Sequence, residues 1–162
     1  KPYNVTLASI GFFAPTGSAK ATPFLGTGNF NLLGTAQWIH SSPSWYCAFL
    51  LRPVMALKRN NEKAGSLLNF QYLFGPKFKL CNSKFPLAVL LELDGVYRKP
   101  REIRGVTQPN TGGTLVIFGP LVTVRKKDVI IQGRTQFPIL QNLKGRQSKL
   151  NYLAALAMQF YF

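Results

Sequence analysis

At 162 residues, with 46% hydrophobic and 15% charged side chains, the chain is long enough for one domain and no more. It contains no apolar run of about 18 residues, which excludes a transmembrane helix. Its 20 basic and 5 acidic residues give a formal net charge of +15, which points to an anionic partner and leaves placement to decide which one.

Eight segments alternate, or nearly alternate, in hydropathy with the two-residue period of a β-strand, and six or seven of them set an apolar face opposite a polar one. From Tyr3 to Phe13, Tyr3, Val5, Leu7 and Phe13 oppose Asn4, Thr6 and Ala8. From about Asn29 to Ile39, Phe30, Leu32, Gly34, Ala36 and Trp38 oppose Asn29, Asn31, Thr35 and Gln37. From about Ser44 to Leu57, Trp45, Cys47, Phe49, Leu51, Met55 and Leu57 oppose Ser44, Tyr46, Ala48 and Arg52, with Pro53 marking a bulge or a weak point. Near Ser66 to Phe74, Leu68, Phe70, Tyr72 and Phe74 oppose Asn69 and Gln71. Near Phe85 to Arg98, Leu87, Val89, Leu91, Leu93 and Tyr97 oppose Glu92, Asp94 and Arg98. Gly113 to Arg125 is apolar on both faces and has no preferred orientation. From Asp128 to Phe137, Val129, Ile131, Thr135 and Phe137 oppose Gln132, Arg134 and Gln136.

The closing segment, Asn151 to Phe162, carries the clearest pattern. Tyr152, Ala154, Leu156, Met158, Phe160 and Phe162 form one wholly apolar face with aromatics at both ends. Eight to ten residues separate Tyr152 from Phe160 and Phe162, about 20–25 Å of height in a tilted strand, the spacing between the aromatic girdles of a membrane barrel. A strand-terminal Phe at the end of the chain resembles the C-terminal signal of bacterial outer-membrane proteins, and Lys1-Pro-Tyr-Asn4 reads as mature sequence.

The connections alternate as well. Ala14–Gly28, Lys58–Gly65, Lys99–Gly112 and Ile139–Leu150 are long, whereas His40–Pro43, Gly75–Lys84 and Arg125–Asp128 are tighter. Long loops on one side and short turns on the other predict an all-β, antiparallel up-and-down transmembrane β-barrel of about eight strands. It occupies residues 1–162 as a single domain, either whole or as the C-terminal part of a wider barrel. The expected location is a bacterial outer membrane, with both termini periplasmic. Eighteen of the twenty bases fall at strand ends, outside the apolar band, where a bilayer tolerates them; at the midplane of a lipid face each costs ~2–4 kcal/mol. A nucleic-acid binder would set bases on a sheet face beside exposed aromatics, so nucleic acid is not expected as a partner. The expected partners are the lipid bilayer, lipopolysaccharide phosphates against the cationic loops, and a protein in an envelope complex; simple solvation of the loop tips is the competing account.

Arg52, Glu92, Asp94 and Arg134 are the mid-strand charges, at similar heights on strands that run the same way. They face one another across a polar interior. One reading is a structural plug of paired charges in a lumen filled by side chains. The other is a constriction that selects permeants by charge. Tyr152, Phe160 and Phe162 are the aromatic girdle. Cys47 and Cys81 permit one disulfide, although Cys47 is expected to face lipid. With His40 as the only histidine, neither a zinc site nor a Ser-His-Asp set is indicated; no cofactor and no enzymatic activity are expected.

Four ordered stretches carry a resemblance: Phe13-Ala-Pro-Thr-Gly17 followed by Leu25-Gly-Thr-Gly28; Leu90-Leu-Glu-Leu-Asp-Gly-Val-Tyr97; Asn110-Thr-Gly-Gly-Thr-Leu115 leading to Phe118-Gly-Pro120; and Gln136-Phe-Pro-Ile-Leu-Gln-Asn-Leu-Lys-Gly145. Together they resemble an outer-membrane transporter family associated with meta-pathway phenol degradation, over nearly the whole chain and in the family's order. The resemblance implies a transmembrane barrel that takes up small aromatic or hydrophobic compounds, and it assigns no binding residues. The chain departs from the family in its basicity and in lacking the further N-terminal strands of the family's usual longer barrel. The expected function is a channel or transporter-like barrel for small molecules, and the alternative is a non-conducting structural or interaction barrel. A soluble lipocalin-like barrel would need the opposite arrangement, apolar inside and polar outside.

Overall fold

The computed structural model describes residues 1–13, 30–57, 62–80 and 85–161. Among these the chain is all strand and turn. The strands are β1 (Tyr3–Phe13), β2 (Asn31–Ser41), β3 (Trp45–Ala56), β4 (Glu62–Lys63), β5 (Leu67–Leu80), β6 (Phe85–Arg98), β7 (Glu102–Ile103), β8 (Val106–Thr107), β9 (Gly113–Lys126), β10 (Val129–Leu143) and β11 (Leu153–Phe160). The eight long strands form one antiparallel meander in the order β1-β2-β3-β5-β6-β9-β10-β11. The three short ones form a second sheet that ties the β3–β5 connection to the β6–β9 connection. β1 and β11 are not paired with each other, so the large sheet is open at both edges.

Register assigns the faces. Leu7 pairs with Gln37, Gln37 with Leu50, Leu50 with Gln71, Gln71 with Asp94, and Asp94 with Ile117; residues directly opposite share a face. All the closely packed large side chains of the sheet lie on this side: Leu90, Glu92, Leu121 and Gln136, with Ala48, Ala56 and Ser41. A single-layer sheet buries one face only by curving over it. The other face is apolar and exposed in every strand, from Phe12 and Trp38 through Phe49, Met55, Leu91 and Phe137 to Leu156. Near its short-turn rim, the paired Asn4 and His40 meet through Oδ1 and Nδ1 at 2.7 Å. Every charged side chain of the large sheet lies on the buried face, except Lys126 at the end of β9. That is the inverse of a soluble protein, which keeps charge outside and apolar bulk inside.

The strands run longer than hydropathy suggests, for a reason visible in the sequence Phe-Gly-Pro, which occurs at Phe74–Pro76 and again at Phe118–Pro120. Gly75-Pro76 looks like a turn, but β5 continues through it to Leu80, and Lys77–Leu80 pair with Phe85–Ala88. In both copies the ladder is unbroken on one side and loses two pairs on the other: toward β6 at Gly75-Pro76, and toward β10 at Gly119-Pro120. Proline has no N–H to give, and glycine lets the neighbouring backbone close in. A Cβ on Gly119 would collide with Thr135 O and sit 2.8 Å from Gln136 Cα; one on Gly75 would collide with Val89 O and sit 2.8 Å from Leu90 Cα. These are glycine kinks of the kind that curve a sheet. Pro53 is accommodated differently. It sits across from Gly34, 3.2 Å from where a Cβ there would be; the ladder toward β5 is unbroken through it, while the ladder toward β2 loses the two pairs at Arg52 and Pro53.

Two further differences follow from register. Tyr3, Val5 and Leu7 share the face of Gln37 and Gln71, so the apolar stripe of β1 lies on the charged side, while Asn4 and Thr6 share the face of Trp38. Hydropathy alone orients β1 the other way, because its neighbour's pairing is not written in its own pattern. β9, apolar on both sides, is oriented by its partners, with Ile117 beside Asp94 and Phe118 beside Leu93.

Replacing Gly119 by Val is expected to destabilise the fold by about 1–3 kcal/mol through overpacking against β10. Gly11, where an added Cβ meets nothing within 4 Å, is the control, and Gly11→Ala is expected to be neutral or stabilising. Urea midpoints of both variants in detergent check the pair.

Candidate functional site: a polar network across the buried face

The polar residues of the buried face converge where β9 supplies least side chain. Glu92 on β6 pairs with Gly119 on β9, and Gly119 leaves the space over β9 open. Side chains from β6 and β10, which are not neighbours, therefore meet above it. Arg134 Nη1 donates to Glu92 Oε1 at 3.5 Å, and Gln71 Nε2 on β5 donates to the same oxygen at 2.7 Å. Gln136 Nε2 donates to Asp94 Oδ2 at 2.7 Å. Glu92 and Gln136 are 2% and 1% exposed, whereas the Arg134 side chain is 40% exposed. Glu92 Oε2 and Gln136 Oε1 are buried with no protein partner.

Two of the four mid-strand charges, Glu92 and Arg134, are thus bonded to each other, and a third, Asp94, is bonded beside them to Gln136. Arg52 is not bonded to them. It borders the same region, facing Asp94, Gln71 and Asn69 around an open hollow of about 490 Å³. Gln71 and Gln136 are the residues sequence reasoning left unmarked. Their signal was present, since each sits two residues from a polar or charged neighbour on the same face of its strand.

A second polar cluster lies at the short-turn end of this face. Lys77 Nζ donates to Ser41 Oγ and, at 2.9 Å, to Ser42 O, and it sits 5.5 Å above the centre of the Tyr46 ring. The partners are all neutral, so the ammonium is held in place without being neutralised. Its placement inside β5 rather than in a turn follows from the kink at Gly75-Pro76.

On the exposed face, Phe160 ends β11 and Tyr152 precedes it, both exposed, whereas Phe162 lies outside the described residues. Trp45 at the start of β3 joins Phe160 at the short-turn rim, and Phe12 and Tyr97 lie near the long-loop ends of β1 and β6. Cys47 is a free thiol on this face, with Sγ donating to Tyr72 Oη at 3.4 Å; Cys81 lies outside the described residues.

No family model, no curated protein and no solved structure matches the chain.

Glu92→Ala removes the acceptor of both Gln71 and Arg134. Leaving the part-buried amide unpaired, with a smaller share from the half-exposed guanidinium, is expected to cost about 1–3 kcal/mol. Glu92→Gln keeps an acceptor oxygen at the same reach and is expected to recover at least half of that loss. The comparison is read from unfolding midpoints of the two variants, and equal losses would show that charge, not hydrogen bonding, holds the network.

Proposed function

We propose that the chain forms a transmembrane β-barrel of a bacterial outer membrane, of the channel or transporter type, with small molecules as permeants. The observation that carries this reading is the separation of the two faces of the large sheet: all of its charge but Lys126 on the buried side, and an exposed apolar surface crossing eight strands. An apolar expanse of that extent on a single sheet suits hydrocarbon, in which each unpaired charge would be costly. Charge-bearing long loops, with Arg104, Lys144, Arg146 and Lys149 exposed, suit the phosphates of lipopolysaccharide at the outer rim. The four ordered stretches that resemble the phenol-degradation transporter family agree with this reading, although no family model matches the chain.

A bilayer tolerates no free sheet edge, because backbone N–H and C=O groups find no water there. β1 and β11 carry neither charge nor proline, the usual guards of an edge, and so are suited to being paired. In the closed eight-stranded form they pair with each other. Followed ladder by ladder, the registers bring Leu153 level with Val5 across the sheet. A tilt of 35–45° requires a stagger of about 8–10 residues, which sets Ala157 opposite Ser9 to Gly11. Cysteine placed at Ala157 with cysteine at Ser9 or Gly11, in a Cys47→Ala, Cys81→Ala background, is expected to give an intrachain cross-link in vesicles. Cross-linked dimers would instead show pairing between copies, and failure to cross-link would point to a wider barrel.

A second reading, a non-conducting structural or interaction barrel, is favoured by the network around Glu92, which packs side chains across the interior as a plug does. Reconstitution into planar lipid bilayers separates the two. Discrete conductance steps are expected for the channel; a protein that cross-links as above and leaves the bilayer sealed is the plug.

A further inference from the structure

We propose that the interior wall of this barrel selects anions, a specificity that rests on the channel reading. The buried face carries six basic side chains: Arg52, Lys77, Lys79, Arg98, Arg125 and Arg134. Glu92 and Asp94 are its acids. The difference, six minus two, leaves four positive charges on one wall. The acids are also the better covered members. Glu92 Oε1 takes both Gln71 and Arg134, and Asp94 Oδ2 takes Gln136. Among the described residues, only Arg134 of the six bases touches a carboxylate.

The uncompensated bases are distributed along the wall rather than gathered at one rim. Lys77, Lys79 and Arg125 occupy the short-turn end, Arg52 borders the 490 Å³ hollow at mid-height, and Arg98 lies at the long-loop end. A permeant crossing from rim to rim meets positive charge at each stage. Lys77 is the best defined of these stations. Ser41, the Ser42 carbonyl and the Tyr46 ring hold its ammonium with neutral groups, so its full charge faces the passage at a fixed position. Charge lining a low-dielectric passage concentrates counter-ions and repels co-ions, and basic linings of this kind serve anion pores. The exposed face contributes no charge of either sign between its rims, so nothing on the far side of the sheet offsets the field.

The test is the reversal potential of the full chain in a planar bilayer of neutral lipid under a KCl gradient. Chloride is expected to be the more permeant ion. Lys77→Gln, which keeps a donor toward Ser42, and Arg52→Gln are each expected to move the reversal potential toward zero, and together further, with conductance retained. Lys79→Gln, at an exposed side chain, provides the same readout if either variant fails to fold. Potassium selectivity in the parent, or a reversal potential that none of the folded variants shifts, would overturn the assignment. A chain that inserts and never conducts defeats the channel reading instead, and the selectivity with it.

Discussion

Because side chains alternate along a strand, a slip of one residue in any ladder of the large sheet would carry Glu92, Asp94 or Arg134 onto the apolar face and an aromatic onto the charged one. Seven successive ladders hold the same assignment, and each constrains the next. The two faces are so different in chemistry that register here is an energetic matter and not a geometric convenience. In hydrocarbon, misplacing a basic side chain would cost about 2–4 kcal/mol, a large fraction of a small domain's total stability.

Curvature depends on a second, smaller device. The duplicated Phe-Gly-Pro places an interruption in β5 and another in β9, each breaking the ladder on one side only. The kink in β9 also clears the space in which Glu92 and Arg134 meet. One glycine therefore serves both shape and chemistry: it lets β10 approach, and it leaves no side chain between β6 and β10. The polar network and the approach of β10 at this point are consequently not independent.

Much of this was legible in the sequence. The eight long strands, their antiparallel order, the apolar face of β11 and the shared region of Glu92, Asp94 and Arg134 all follow from alternation and connection length. What alternation could not supply was anything decided by a neighbour. β1 reads apolar at Tyr3, Val5 and Leu7, and only pairing with β2 reveals that this stripe lies on the charged side. Lys77 and Lys79 read as turn residues because Gly75-Pro76 precedes them, and only the ladder with β6 shows the strand continuing. Gln71 reaches Glu92 directly across the β5–β6 ladder, but the partnership of Gln136 with Asp94 depends on the gap at Gly119, which is visible as a gap only once three strands are side by side. Short β4, β7 and β8 lie inside segments whose composition reads as loop, and two-residue strands leave no period to detect.

The unguarded edges of β1 and β11 have a consequence for how the molecule is made. Every ladder in the sheet joins strands that follow one another closely along the chain, so the meander can grow hairpin by hairpin through local encounters. In the closed barrel proposed above, joining β1 to β11 would be the opposite kind of event, since the two strands lie at opposite ends of the meander and their pairing would await everything between them. Until then the sheet would carry two unpaired margins and one exposed apolar face. Unpaired margins and an exposed apolar face of this kind favour misassembly, at a rate that rises with the chain's own concentration.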